Sequence, residues 1–167
     1  MELFDPQVAI FPTSYSEILQ RIRNVNPIKY ASNRNYVNGA VSYLSPYISR
    51  GIVSTKFIFS EIINRGYSAD MIEKFIQELT WRDYWQQIWT LKGESINQDL
   101  KHKQHPVSNY SLSTVISKGE TGIHAIDRAI KEFYRTGYIH NHLRMYIASI
   151  TCNIGQSHWK IPAKWMY

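Results

Sequence analysis

Cysteine is almost missing from this chain: Cys152 is the single one among 167 residues. That excludes an internal disulfide and a CxxC metal site, and leads us to expect a reducing, cytoplasmic setting. No apolar run reaches the roughly 20 residues needed to span a bilayer. The start, Met1-Glu2-Leu3-Phe4-Asp5, has neither the basic region nor the apolar stretch of a secretory leader. Acidic residues are few, 13 against 19 Lys and Arg, giving a formal charge of +6 that suits a polyanionic partner. Charged residues make up only 19% and hydrophobic ones 44%, which excludes bulk disorder. Strict apolar–polar alternation never lasts more than a few residues, and there is no repeat or low-complexity tract. The expected fold class is therefore all-α.

What the chain has in quantity is aromatic: 5 Trp and 12 Tyr, with aromatics at 14%. Such a load serves either a large core or flat surfaces for a planar ligand or bases. Residues 1–12 read as an extended lead-in broken by Pro6 and Pro12. Helical spacing then predicts helices near 14–24, 54–65, 70–91, 122–135 and 139–154, with one more from Ser157 to Tyr167. Inward positions are expected at Tyr15, Ile18, Leu19 and Ile22; at Phe57, Ile58, Ile62 and Ile63; and at Ile123, Ile126, Ile130, Phe133 and Tyr134. Residues 28–41, with Lys29, Tyr30, Arg34 and Tyr36, read as a polar binding loop, and 92–110 as a basic surface loop. The division expected is 1–27, a lead-in and first helix, followed by a domain over 28–167.

Three stretches carry chemistry. In Ser42-Tyr43-Leu44-Ser45-Pro46-Tyr47, Ser45 and Pro46 read as N-cap and first helical residue. That is plain capping or, with two hydroxyls, a phosphate seat. In Glu78-Leu79-Thr80-Trp81-Arg82-Asp83-Tyr84-Trp85, Glu78, Trp81, Arg82 and Trp85 share one helical face, opposite Ile72, Phe75, Ile76, Leu79 and Ile88. Glu78 and Arg82 stand in the favourable i,i+4 order, so a surface ion pair is one reading, although it leaves two Trp unaccounted for. In the third stretch Gly137 closes one helix, and Ile139, Leu143, Ile147 and Ile150 form a core stripe in the next. Tyr138, Asn141, Arg144, Met145 and Ala148 lie beside it, either as a solvated face or as a face awaiting something flat and polar. The six His lack any HExxH or Cys/His pairing, so no metal is expected.

Those stretches, together with Thr121-Gly122 and Asp127, resemble in order and spacing the helical FAD-binding domain of the photolyase/cryptochrome family, over roughly residues 28–167. The resemblance implies a multi-helical domain holding FAD. Tyr30, Ser42, Leu44 and Ser45 would lie toward the phosphates, and Arg82, Asn141 and Arg144 toward the rest of the cofactor. These groups are expected to converge on one pocket. It implies Glu78 and Trp81 as the catalytic and substrate-binding pair, Met145 lining the pocket for a flipped-out pyrimidine dimer, and Trp159 in an electron-transfer chain. The implied activity is light-driven splitting of pyrimidine dimers in DNA by a photolyase-type carbon–carbon lyase, with the segment that follows Tyr167 in the family supplied. The chain departs from the family pattern in having no N-terminal antenna domain, which would sit on a separate domain or partner chain. It departs also in Val41, in Tyr138, and in lacking a surface Trp between 92 and 120. A cryptochrome-like sensor that binds FAD without repair, and a flavin-free nucleic-acid-binding helical fragment, are the alternatives.

Overall fold

The computed structural model describes residues 11–36 and 38–167. The lead-in expected over 1–12 therefore lies outside the described residues except for Phe11 and Pro12. Among the described residues there are helices and no strand; one isolated parallel bridge pairs Asn109 with Ser157. The chain forms two compact units, Met1–Leu91 and Lys92–Tyr167.

The first unit contains α1 (Tyr15–Arg23), α2 (Pro27–Asn33), α3 (Ser45–Ser49), α4 (Thr55–Ile63) and nearly all of α5 (Ala69–Lys92). Each longer helix contributes one row spaced by about a turn: Ile18 and Ile22, Ile58 and Ile62, Ile72 and Phe75. Leu44, Tyr47, Val25 and Val53 complete this core. Burial of these side chains stabilises the unit by roughly 1.5–3 kcal/mol each before conformational entropy is set against it. Two polar clips hold its edges. Arg65 donates to the carbonyls of Ile22 and Val25 at 2.6 and 2.7 Å, satisfying acceptors at the open end of α1. The Tyr47 hydroxyl donates to the Pro12 carbonyl at 2.9 Å.

Several expectations change here. Tyr15, Phe57 and Ile63 are exposed: Phe57 and Ile63 each stand next to a buried Ile, about 100° round the helix, and Tyr15 is the first residue of α1. The stretch read as a loop over 28–41 begins as α2. The Asn26 side chain accepts from Lys29 N–H at 2.9 Å, and Pro27 follows as a pre-set first helical residue. Helix α3 starts at Ser45 itself, with Leu44 in the cap position and no side-chain cap, so Ser45 is not the N-cap.

The second unit contains a 3-10 turn (Gly93–Asn97), α6 (Thr114–Lys118), α7 (His124–Thr136), α8 (Asn141–Ser149) and α9 (Lys160–Met166). Its core is Ile116, Ile126, Ile130, Ile139, Ile147 and Met166, with Phe133, Leu143, Ile150 and Trp165 packed against it. Ile123 and Tyr134 are exposed, against expectation; Ile123 precedes the helix and Tyr134 lies off its buried row. Asp127 ties the turn before α7, accepting from Thr121 N–H at 2.7 Å, Thr121 hydroxyl at 2.5 Å and Gly122 N–H at 3.0 Å. The helix expected to run to 154 widens after Ser149 into a π turn, Ile150–Ile154. There the buried Thr151 hydroxyl donates to the Ile147 carbonyl at 2.7 Å. The basic stretch read as a surface loop is mostly exposed, and it is also fastened to the chain near Trp159. Asn109 and Gln104 hydrogen-bond backbone groups of Gly155, Ser157, His158 and Trp159.

Candidate functional site

In the first unit Glu78, Trp81 and Arg82 lie on α5 and Tyr30 packs against it, whereas Ser42 lines a cleft whose described lining holds no α5 residue. With one row of α5 in the core, Glu78, Trp81, Arg82 and Trp85 are left on the other side. Glu78 does not pair with Arg82. Its carboxylate lies 3.6 Å from Arg34, the residue that follows α2, and 3.6 Å from Lys74, one turn earlier. Both pairs are partly exposed and worth about 0–1 kcal/mol, so their effect is to aim the carboxylate. Tyr30 packs edge-on against Phe75, ring centres 5.1 Å apart, and the Arg34 guanidinium lies 5.6 Å over its ring. Burial, then the Glu78 charge, pushes the Tyr30 phenol up to about 12, with Arg34 opposing. Arg34 is thus the residue that links Tyr30 to Glu78, a role that its place in a polar stretch did not reveal.

Trp81 is 52% exposed. It meets Tyr84 edge-on at 5.6 Å and lies nearly parallel to Trp85 at 6.5 Å between ring centres. Asp83 accepts from the Thr55 hydroxyl at 2.9 Å, which fixes α5 to the start of α4. Arg82 is half-buried and has no ion-pair or hydrogen-bond partner among the described residues.

Ser42 lines a cleft of about 650 Å³ together with Arg21, Asn24, Lys29, Val41 and Tyr43. Its hydroxyl accepts from Leu44 N–H at 3.4 Å, and Tyr43 holds a left-handed φ of 54°, a conformation that costs a non-glycine residue about 1–3 kcal/mol. Leu44 is buried in the core, so any part it plays toward a ligand is through its backbone. Neither Ser45 nor Arg82 lines this cleft.

In the second unit Asn141 is the exposed first residue of α8, and Arg144 and Met145 follow on its face. Arg144 is half-buried and donates one N–H to the Met166 carbonyl at 3.0 Å, keeping its other donors. Burial pulls its pKa below the usual guanidinium value, partly offset by Tyr138. Met145 is exposed. Trp159 is anchored by two groups far away in sequence: its indole N–H donates to Asp99 at 2.5 Å and its backbone N–H to Gln104 at 2.9 Å. Asp99 is held below the usual carboxylate range by Trp159, then by the Gln104 backbone N–H. No spacing rule connects groups that far apart. No helix among the described residues is long and apolar enough to cross a membrane.

Comparison with known proteins agrees with the resemblance as to the family. The family profile described as FAD binding domain of DNA photolyase matches residues 75–167. The chain belongs to this family. FAD is accordingly the cofactor of its fold. Glu78, Trp81, Arg82, Asn141, Arg144, Met145 and Trp159 fall inside the matched stretch, whereas Tyr30, Ser42, Leu44 and Ser45 precede it. Among curated relatives, the deoxyribodipyrimidine photo-lyase of Alkalihalophilus pseudofirmus is 28% identical over 141 residues, covering 81% of this chain and 29% of that protein. The cryptochrome DASH of Synechocystis sp. is 29% identical over 145 residues, again 81% of this chain and 29% of the other. A crystal structure of a Synechocystis cryptochrome superposes with a TM-score of 0.81 at 25% identity, covering 95% of this chain and 36% of that one. A class III photolyase from Agrobacterium tumefaciens shares the fold with a TM-score of 0.75 at 20% identity, covering 90% and 33%. The family chain in hand thus spans about 30% of the length of the curated relatives it matches.

Proposed function

We propose that this chain forms part of the FAD-binding region of a light-driven DNA-repair enzyme that acts on pyrimidine dimers. The observation that carries the proposal is the outer face of α5. A half-exposed Trp81, in contact with Trp85 and Tyr84, lies one turn from a Glu78 carboxylate aimed by two cations. A stacking surface beside an acceptor of fixed direction suits a base taken out of the duplex, which is how photolyases reach their substrate. Trp81 stacks on the extruded pyrimidines, and Glu78 accepts a hydrogen bond from a base N–H. The excess of Lys and Arg draws the DNA backbone.

The donor set fits FAD. Ser42 shares its cleft with Arg21 and Lys29, which suits a pyrophosphate. Arg82 and Asn141 have no partner among the described residues, and Arg144 has donors to spare, as residues facing a polar ring system require. Bound FAD supplies the light absorption and the electron; the protein binds, orients and excludes water.

The test measures flavin absorbance per chain and dimer splitting under blue light after reduction, in wild type, Glu78→Ala and Trp81→Ala. Trp81→Ala is expected to weaken lesion binding by about 1–3 kcal/mol. Glu78→Ala should lower repair yield and leave flavin occupancy nearly unchanged. A wild type that holds stoichiometric reduced flavin yet splits no dimers would overturn the repair reading. The cryptochrome relatives give a specific second reading, a flavin-binding light sensor that works through a partner, and that outcome would favour it.

A further inference from the structure

Charge is divided unevenly along this chain. The unit Met1–Leu91 holds 9 Lys and Arg against 8 Asp and Glu, and the unit Lys92–Tyr167 holds 10 against 5, so five of the six net positive charges lie in the second. Within that unit, residues 100–119 and 133–167 contain no Asp or Glu at all. The fold ties these two stretches together. Gln104 donates to the Ser157 carbonyl at 3.0 Å and accepts from Trp159 N–H at 2.9 Å, and the Asn109 carbonyl accepts from His158 N–H at 2.8 Å. Lys101 and Lys103 are thereby brought near the start of α9, which carries Lys160 and Lys164 one turn apart. Lys101, Lys103 and Lys164 are exposed and Lys160 is half-buried. None of the four has an ion-pair partner among the described residues. Asp99, the acidic residue just before the first stretch, is turned inward. It accepts from the Trp159 indole N–H at 2.5 Å and from Gln104 N–H at 3.1 Å, and lies 3.4 Å from His158 Nε2.

We propose that Lys101 and Lys103, fastened by the Gln104 clasp to the segment that leads into Lys160 and Lys164, form a sequence-independent contact for the phosphate backbone of DNA. The second unit would then supply the grip, and α5 of the first unit the reading of the bases. Each ammonium is a compact point charge that neutralises one phosphate and releases the counterion held there. With the nearby carboxylate spent on Trp159 and Gln104, no exposed negative charge of these two stretches opposes the approach of a polyanion. The clasp matters because it orders residues 101–105 before DNA arrives, so that binding does not have to pay for that ordering. Residues 92–109 contain no Trp, Tyr or Phe, so this edge has no ring on which a base could stack. It therefore holds intact and damaged duplexes alike, and adds affinity without adding preference. The proposal rests on the proposed function for the choice of DNA among polyanions.

The test uses fluorescein-labelled duplexes, one intact and one containing a dimer, titrated with the purified chain in the dark at several NaCl concentrations and followed by anisotropy. Wild type should bind both with an affinity that falls linearly with salt on logarithmic axes. Replacing Lys101 and Lys103 together by Gln should weaken binding several-fold and flatten that slope by about 0.9 for each lysine removed, equally for the two duplexes. Lys101 and Lys103 are exposed, so the double variant should fold as wild type does. Lys56→Gln removes an exposed charge from α4 of the first unit and should leave the slope as it was. Gln104→Ala keeps every charge and should still weaken binding, because it loosens the clasp. An unchanged slope in the double variant would overturn the contact. So would an equal loss per charge in Lys56→Gln, which would mean that net charge alone is felt, and so would a wild type that binds no intact duplex at low salt. A chain that grips intact DNA through these lysines and shows no preference for dimers leaves the contact standing and counts against the lesion site. An unchanged slope beside a preference that Trp81→Ala abolishes does the reverse.

Discussion

The unit Met1–Leu91 and the unit Lys92–Tyr167 secure their site residues by different means. In the first, a two-sided helix does it: Ile72 and Phe75 lock α5 into an apolar core, and the other side is left to Glu78, Trp81 and Arg82. In the second, the residue of interest, Trp159, is placed by polar groups from a segment about fifty residues earlier, through Asp99, Gln104 and Asn109. An apolar row positions a face as a whole, because hydrophobic burial has no direction. A hydrogen-bonded clasp positions single atoms, because each bond has a length and an angle, and leaving one partner buried and unmade is costly.

The contrast can be broken most forcefully through the core. Ile58→Ala removes a fully buried side chain of the first unit and should cost about 2–5 kcal/mol, read from chemical denaturation followed by circular dichroism. If unfolding becomes two separate transitions and only the earlier one moves, the two units are independent folding units as well as compact ones. Gly119→Ala comes next. Gly119 ends α6 with φ of 65°, and a Cβ there would meet the Asp127 carbonyl oxygen at 2.9 Å. A loss of about 1–3 kcal/mol confined to the second unit is expected.

Gln104→Ala sharpens the comparison itself. It removes the acceptor for Trp159 N–H and the donor to the Ser157 carbonyl. The expected cost is about 1–3 kcal/mol, with amide hydrogen exchange rising in residues 99–111 and 155–159 and unchanged along α5. Equal acceleration in α5 would mean that the clasp is not local. The smallest effect is a pH dependence. Asp127 is held below the usual carboxylate range, first by the Thr121 hydroxyl, so its folded pKa lies under the unfolded value of about 3.9. A depressed folded pKa contributes stability above the unfolded value, and that contribution is lost as pH falls through the folded one. Asp127→Asn should therefore flatten the acid limb of the stability curve and leave its neutral-to-basic part unchanged in slope.

Within the chain, what could be read in advance was local. Ile18 with Ile22, Ile58 with Ile62 and Ile126 with Ile130 announce helices because residues four apart meet on one face. Gly137, with φ of 71°, ends α7 where its residue type says it should. The outward side of α5 follows from the same periodicity. Even there a local signal was misread: Asn26-Pro27 is a cap and a first helical residue, and the helix it opens occupies much of a stretch expected to be loop.

The sequence by itself determined the helices, the rows that bury, and the residue types offered on α5 and α8, since all of these depend on neighbours within a turn or two. Only the tertiary structure decided which partner each polar group takes. Glu78 turned to Lys74, one turn before it, and to Arg34, which the end of α2 brings to it and no local spacing announces, rather than to Arg82 one turn after it. Trp159 met Asp99, which lies 60 residues away. Several acceptors are chemically equivalent along a chain, and the energy that separates them comes from distance and burial, which exist only after the chain has folded.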